Sequence, residues 1–200
     1  MSELEGLAKE ISECTRCLLH RARTKAVPGE GPANAELMFI GEAPGFHEDQ
    51  QGRPFVGAAG QYLEELLGMI GFKRTQVFIA NVIKCRPPGN REPQPEEIEA
   101  CKPYLDRQLE LIRPRFVVTL GRFSMARAFP TARISNVHGQ PRKIDGVIYY
   151  PMYHPAAALH QPSLRSVLEE DMRRIPELLR QVSQIEDSPP PVEAEQLKLF

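Results

Sequence analysis

The feature that most constrains this chain is an alternation of short apolar runs with segments of helical spacing. Glu36-Leu-Met-Phe-Ile-Gly41, Val77-Phe-Ile-Ala80, Phe116-Val-Val-Thr-Leu120 and Val147-Ile-Tyr-Tyr150 read as buried strands, each bounded by turn residues. Between and around them, 3–13, 58–70, 96–112, 123–129 and 163–182 read as helices. Leu63, Leu66, Leu67 and Ile70, for example, share one helical face. Strands alternating with helices predict an α/β fold: a single three-layer α/β/α domain around a four-stranded parallel sheet. In such a sheet the ligand crevice lies beyond the carboxyl ends of the strands. The residues expected there are Glu42, Asn81, Gly121 and His154. A carboxylate, a carboxamide and an imidazole together suit a polar planar ligand. The chain has no glycine-rich phosphate loop of either nucleotide-binding pattern, so triphosphate chemistry is unsupported.

Composition narrows the function classes. A length of 200 residues with 42% hydrophobic content suits one domain with a real core. A net charge of -1 excludes a protein that coats nucleic acid by bulk charge. A local basic face survives that exclusion: Arg113, Arg115, Arg122, Arg127, Arg133, Arg142 and Lys143 fall in 113–143, which has no acid. The amino terminus lacks the apolar core of a secretory signal and no run is long enough for a membrane span, so a cytoplasmic protein is expected. Pro87, Pro88, Pro93, Pro95 and Pro103 predict a stiff loop, and Pro189, Pro190 and Pro191 a stretched linker.

Four cysteines in a reducing compartment point to metal ligation or to ordinary buried thiols. Cys14 and Cys17 form a C-x2-C knuckle, whereas fifteen residues separate Cys85 from Cys101. Zinc and an iron-sulfur cluster both accept four thiolates, and spacing alone leaves that choice open.

Gly41-Glu-Ala-Pro-Gly45, Gly52-Arg-Pro-Phe-Val-Gly57, Asn81-Val-Ile-Lys-Cys-Arg-Pro-Pro-Gly-Asn-Arg91 and His154-Pro-Ala-Ala-Ala-Leu159 appear in that order. The combination resembles family 4 uracil-DNA glycosylases, the iron-sulfur branch of that superfamily, from about residue 5 to 182. The resemblance implies a 4Fe-4S cluster on Cys14, Cys17, Cys85 and Cys101. It also implies hydrolytic removal of uracil from single- or double-stranded DNA in base excision repair, leaving an abasic site. Residue chemistry agrees with that task. A base-excising enzyme holds the flipped nucleotide in a pocket, where Phe55 can stack on the base unless it is simply core. The Asn81 carboxamide can donate to O4 of uracil and accept from N3–H, a pattern that cytosine reverses. His154 is expected to donate to O2, where negative charge builds as the bond breaks. Glu42 is expected to position or activate water and stabilise the sugar cation, the alternative being a carboxylate bonded to loop backbone.

The best-known branch of the superfamily carries a water-positioning aspartate and a methyl-blocking tyrosine where this chain has Ala43 and Gly45. Glu48 is the candidate for excluding the thymine methyl. His47 lies nearby, but 46–54 lacks the basic insertion of a branch that traps DNA covalently through a histidine, so hydrolysis is preferred. By resemblance, Leu159 enters the duplex as an apolar wedge.

These readings divide the chain into a catalytic body, 1–182, and an acidic, proline-rich tail, 183–200. The tail ends Gln196-Leu197-Lys198-Leu199-Phe200, which resembles the bacterial sliding-clamp-binding pentapeptide but departs at Lys198. A frayed amphipathic end is the plainer alternative. The expectation is therefore a monomeric, nucleoid-associated glycosylase. Its competitor is a metal-stabilised DNA-binding adaptor that is recruited to the clamp and does no chemistry.

Overall fold

The structure is a computed structural model and describes residues 2–187. In chain order the elements are α1 (Glu3–Glu13), β1 (Leu37–Gly41), α2 (Phe46–Gln51), α3 (Ala58–Met69), β2 (Phe78–Asn81), α4 (Pro95–Ile112) and β3 (Phe116–Leu120). They continue as α5 (Arg122–Met125), α6 (Ile134–Val137), β4 (Arg142–Ile144), β5 (Val147–Met152), α7 (Pro155–His160) and α8 (Leu164–Arg180).

The sheet has five strands in the order β2-β1-β3-β5-β4, rather than the four expected. β2, β1, β3 and β5 are parallel, and β4 is an antiparallel edge strand paired with β5. β4 reaches β5 through Asp145 and Gly146, both at positive φ (50° and 80°), which is the backbone of a two-residue hairpin turn. Three residues are too few to register as a period-2 pattern, so the strand escapes a sequence reading.

Alternation along each strand feeds two cores. Met38, Ile40, Phe78, Ala80, Val117 and Tyr149 pack with Leu7 and Ile11 of α1 and Tyr104, Leu105 and Ile112 of α4. Leu37, Phe39, Ile79, Val118, Ile148 and Tyr150 pack with Leu63, Leu66 and Leu67 of α3 and Leu168, Met172 and Ile175 of α8. The three-layer expectation thus holds, with every parallel strand buried on both faces. The helix expected over 163–182 begins at Leu164 and is preceded by the separate α7. Pro95 opens α4 at a position where its missing N–H costs nothing, and Pro103 lies inside that helix instead of in the stiff loop.

The residues read as the start of the tail are docked on the body as far as Asp187. Lys143 Nζ donates to the Ile185 carbonyl at 2.9 Å, Gly146 N donates to Asp187 Oδ1 at 3.0 Å, and Ile185 packs on the second core. The clamp-like residues Gln196, Leu197, Leu199 and Phe200 lie outside the described residues.

Candidate active site

Parallel register brings the exits of β1 and β2 side by side, with Gly41 opposite Asn81. Beyond these exits opens a cleft of about 400 Å³ lined by Glu42, Ala43, Gly45, Glu48, Phe55, Asn81 and His154, with Pro87, Asn90 and Arg91 on one wall. That volume suits a small organic group. Three of the four residues expected at strand exits meet here. The fourth, Gly121, backs His154 instead: a Cβ at Gly121 would come 3.4 Å from the His154 Cβ.

Asn81, the last residue of β2, is 2% exposed, and its Oδ1 has no hydrogen-bond partner among the described residues. An unpaired buried acceptor costs roughly 1–3 kcal/mol. Gly41 is what admits it, since a Cβ there would stand 2.4 Å from Asn81 Oδ1 and 2.6 Å from the Phe55 ring.

Phe55 is buried within the second core and its side chain also lines the cleft, so core packing does not remove it from the pocket. It sits at φ 51°, a left-handed conformation that a bulky residue rarely adopts. The conformation is held from outside: Arg74 donates to the Phe55 carbonyl at 2.8 Å and to the Pro54 carbonyl. Gly60 leaves room, because a Cβ there would overlap the Phe55 carbonyl. Nothing in the local pattern around Arg74 points to this role, nineteen residues away from Phe55.

His154 caps α7. Ala156 N donates to its Nδ1 at 3.1 Å, which assigns the ring proton to Nε2. Burial pushes the imidazole down to about 4, with the Glu48 carboxylate opposing, so the ring is neutral at physiological pH. It stacks on Phe55 with ring centroids 5.5 Å apart and planes 26° from parallel. Glu42 is held above the ordinary carboxylate range by burial first and by Glu92 second, against the pull of Arg122. Glu92 and Arg122 pair with each other.

Glu48 organises the cleft wall. Its Oε1 accepts from Val56 N and Gly57 N, each at 2.8 Å, and its Oε2 accepts from Gly45 N at 3.1 Å. One carboxylate thereby ties the loop after β1 to the loop that carries Phe55. Leu159 lies on α7 and is 45% exposed, on the side of the cleft built from the β5 exit.

The four cysteines gather at one place. Cys14 ends α1, Cys17 follows three residues on, Cys85 lies in the loop after β2 and Cys101 in α4, and all line one small cavity with Arg23, Lys84 and Tyr104. Sulfurs receive N–H donors: Arg23 to Cys85 Sγ at 3.1 Å, Lys84 N to Cys101 Sγ at 3.3 Å and Arg16 N to Cys14 Sγ at 3.5 Å. Burial pushes Cys101 up to about 11 and Cys85 upward, and the cations Lys84 and Arg23 oppose those shifts. No disulfide links them, and among the described residues no three such side chains close on a single ion. Lys84, which the sequence groups with Arg86 and Arg91 as positive charge beside the cysteine loop, is instead 1% exposed and turned away from any DNA surface; its Nζ donates to the Asn81 carbonyl at 2.9 Å and to Gln108 Oε1 at 2.6 Å.

The basic run does not form one face. Arg113 and Arg115 precede β3 and lie at the amino-terminal end of the sheet, away from the cleft, whereas Arg122 follows β3 at the carboxyl end, beside the cleft. Several of the run are already paired: Arg115 with Glu36, Arg122 with Glu92, Arg127 with Asp106 and Lys143 with Asp187. No helix among the described residues is long and apolar enough to cross a membrane.

A family model described as the uracil DNA glycosylase superfamily matches residues 28–182. The type-4 uracil-DNA glycosylase of Sulfurisphaera tokodaii is 50% identical over 188 residues, covering 89% of this chain and 86% of the relative. That of Archaeoglobus fulgidus is 47% identical, covering 89% and 94%, and that of Thermotoga maritima is 41% identical, covering 86% and 92%. With every strand of the sheet inside the matched range and such identity along most of its length, the chain belongs to the type-4 branch of the uracil-DNA glycosylase superfamily.

Proposed function

We propose that the protein excises uracil from DNA by hydrolysing the bond between the base and deoxyribose of a flipped-out deoxyuridine. The observation that carries this reading is the orphaned Oδ1 of buried Asn81, an acceptor fixed where an N3–H would complete it. The neighbouring amide nitrogen then donates to O4, and cytosine, with its pattern reversed, is rejected. Phe55 offers its face to the ring. The neutral His154 presents Nε2–H to O2, where charge collects as the bond breaks, a donor worth most in a dry site. Glu42, ionised, orients the attacking water, accepts its proton and faces the cationic sugar. Glu48 spends its carboxylate on three backbone amides, so thymine is excluded by a fixed wall beside the C5 position. Thymine release by Glu48→Ala tests that, and unchanged rejection would remove Glu48 from the role. Arg122 and Arg86, near the cleft, are the phosphate contacts expected to give salt-dependent binding, and Leu159 fills the place of the flipped base.

The cysteine set fits a 4Fe-4S cluster. Four thiols converge from three elements, N–H donors point at sulfur, and two cations offset the negative charge that four thiolates would bring. Cys14, Cys17, Cys85 and Cys101 would hold the group, which when bound ties α1, the loop after β2 and α4 together. Broad absorption near 400 nm is expected, and a colourless, zinc-loaded protein would refute it.

The deciding measurement is release of free uracil from a uracil-containing oligonucleotide. Binding without release would retire the enzyme in favour of the adaptor. The terminal Gln196-Leu-Lys-Leu-Phe200 is proposed to seat in the sliding clamp, placing a monomeric enzyme at the nucleoid. Unchanged clamp affinity after deletion of 196–200 would remove that assignment.

A further inference from the structure

Phe46 stands out among the described residues. Large apolar side chains left exposed are few, and Phe46, at 51%, is the one that is aromatic. It opens α2 between two cleft-lining residues, Gly45 and Glu48, on the side built from the β1 and β2 exits. Leu159 lies on the other side, beyond the β5 exit.

The Phe46 ring is also held in place. The Arg86 guanidinium lies over it, 5.1 Å from the ring centroid, and the His47 ring meets it edge-on at 5.5 Å. Arg86 is in turn fixed by Nε donating to Asn90 Oδ1 at 2.7 Å, and Asn90 lines the cleft. The turn that presents Asn90 is stiff: Pro87 and Pro88 enter it, and Gly89 and Asn90 take φ values of 64° and 55°. Glu48 anchors the other half of the shelf through Gly45 N. A fixed, half-exposed aromatic ring with a cation on one face, at the mouth of a cleft, is the kind of platform on which single-stranded nucleic acid stacks a base.

We propose that Phe46, braced by Arg86, is a subsite that stacks a nucleobase adjacent to the flipped deoxyuridine on the same strand. The occupant is a base because the platform combines a π-face with a cation, a combination that suits a planar ring joined to a phosphate. A duplex holds its neighbouring bases in the stack, so the subsite favours single-stranded or locally opened substrate. This inference rests on the cleft being the uracil site.

A double-mutant cycle tests it, read as the dissociation constant of the full-length, metal-replete protein for a single-stranded oligonucleotide. The oligonucleotide carries one 2′-fluoro-2′-deoxyuridine, whose electron-poor sugar resists cleavage. Its neighbour on either side is a normal base or a tetrahydrofuran spacer that lacks one. For the wild type, removing the base at one flank is expected to weaken binding about 5- to 150-fold. Phe46→Leu keeps an apolar side chain without the π-face; it should lose a similar factor on the intact oligonucleotide and nothing further with the spacer. Phe46→Tyr should restore both the affinity and its dependence on the flanking base. Phe46→Leu binding like wild type, or losing the same factor at either flank with base or spacer present, would overturn the subsite. A wild type that releases no uracil from an unmodified oligonucleotide would instead overturn the assigned activity.

Discussion

The cleft and the thiol cavity lie on either side of one loop, 81–91, yet their polar atoms are treated in opposite ways. In the cavity, sulfurs of Cys14, Cys85 and Cys101 each receive an N–H donor, and a cation is buried nearby. In the cleft, Asn81 Oδ1 is left without a partner and Glu42 is held above its ordinary range by burial. A region saturated with its own donors suits an occupant that stays. A region with unpaired groups suits one that arrives, reacts and leaves, because the missing interactions are supplied only during that visit. Lys84 joins the two, its backbone N–H on Cys101 and its ammonium on the Asn81 carbonyl.

The sharpest way to break this comparison is to strike each region alone. Glu42→Gln should lower kcat by about 10²–10⁴-fold, the range for a positioned acid or base, while visible absorption and melting temperature stay put. A parallel loss of stability would mean that the cleft is structural after all. Cys101→Ala should do the reverse, abolishing absorption near 400 nm and lowering the melting temperature by more than about 10 °C, an effect of several kcal/mol. Unchanged melting would separate the cysteines from the fold.

Lys84→Met tests the bridge. The change leaves Gln108 Oε1 and the Asn81 carbonyl without their buried donor, at a cost of about 1–3 kcal/mol. Both regions should respond: unfolding at lower denaturant, and weaker discrimination of uracil from cytosine. A response in one region only would show that the bridge is not one.

The smallest expected effect is on pH. Glu42 acts ionised, and burial raises its pKa, so activity should fall as pH drops through that raised value. His154, pushed down to about 4, stays neutral until lower pH and leaves the upper part of this limb to Glu42. Glu92→Gln removes the like charge that also raises Glu42, so the acid limb of kcat/KM should move to lower pH. A limb that stays put would assign it to another group.

Much of the site is legible because strand ends are legible. Apolar runs of four to six residues mark where β1, β2, β3 and β5 stop, and the polar residues at those stops include Glu42, Asn81 and His154. The cysteine knuckle is legible from its spacing, whereas Leu159 is singled out only by the family resemblance. Other features are not legible. β4 is too short to show a period. The arginines of 113–143 look continuous in the chain, but β3, the central strand, carries them to opposite ends of the sheet. Glu48 is a plausible cleft residue by position, but its commitment to the amides of Gly45, Val56 and Gly57 depends on how two loops meet. Residues 183–187 read as tail by composition, yet Ile185 and Asp187 find partners on β4 and its turn.

By itself the sequence determined the α/β alternation, the faces of its helices and the kinds of side chain at each strand exit. These follow from periodicity and from residue chemistry, which are local. The tertiary structure decided that three exits open on one cleft, that Asn81 Oδ1 is orphaned there, and that Phe46 stands open at the rim. Those outcomes depend on strand order and on contacts between residues far apart in the chain, such as Arg74 on Phe55 and Gly41 beneath Asn81. No local pattern carries that information, because each such contact becomes favourable only once the layers have packed.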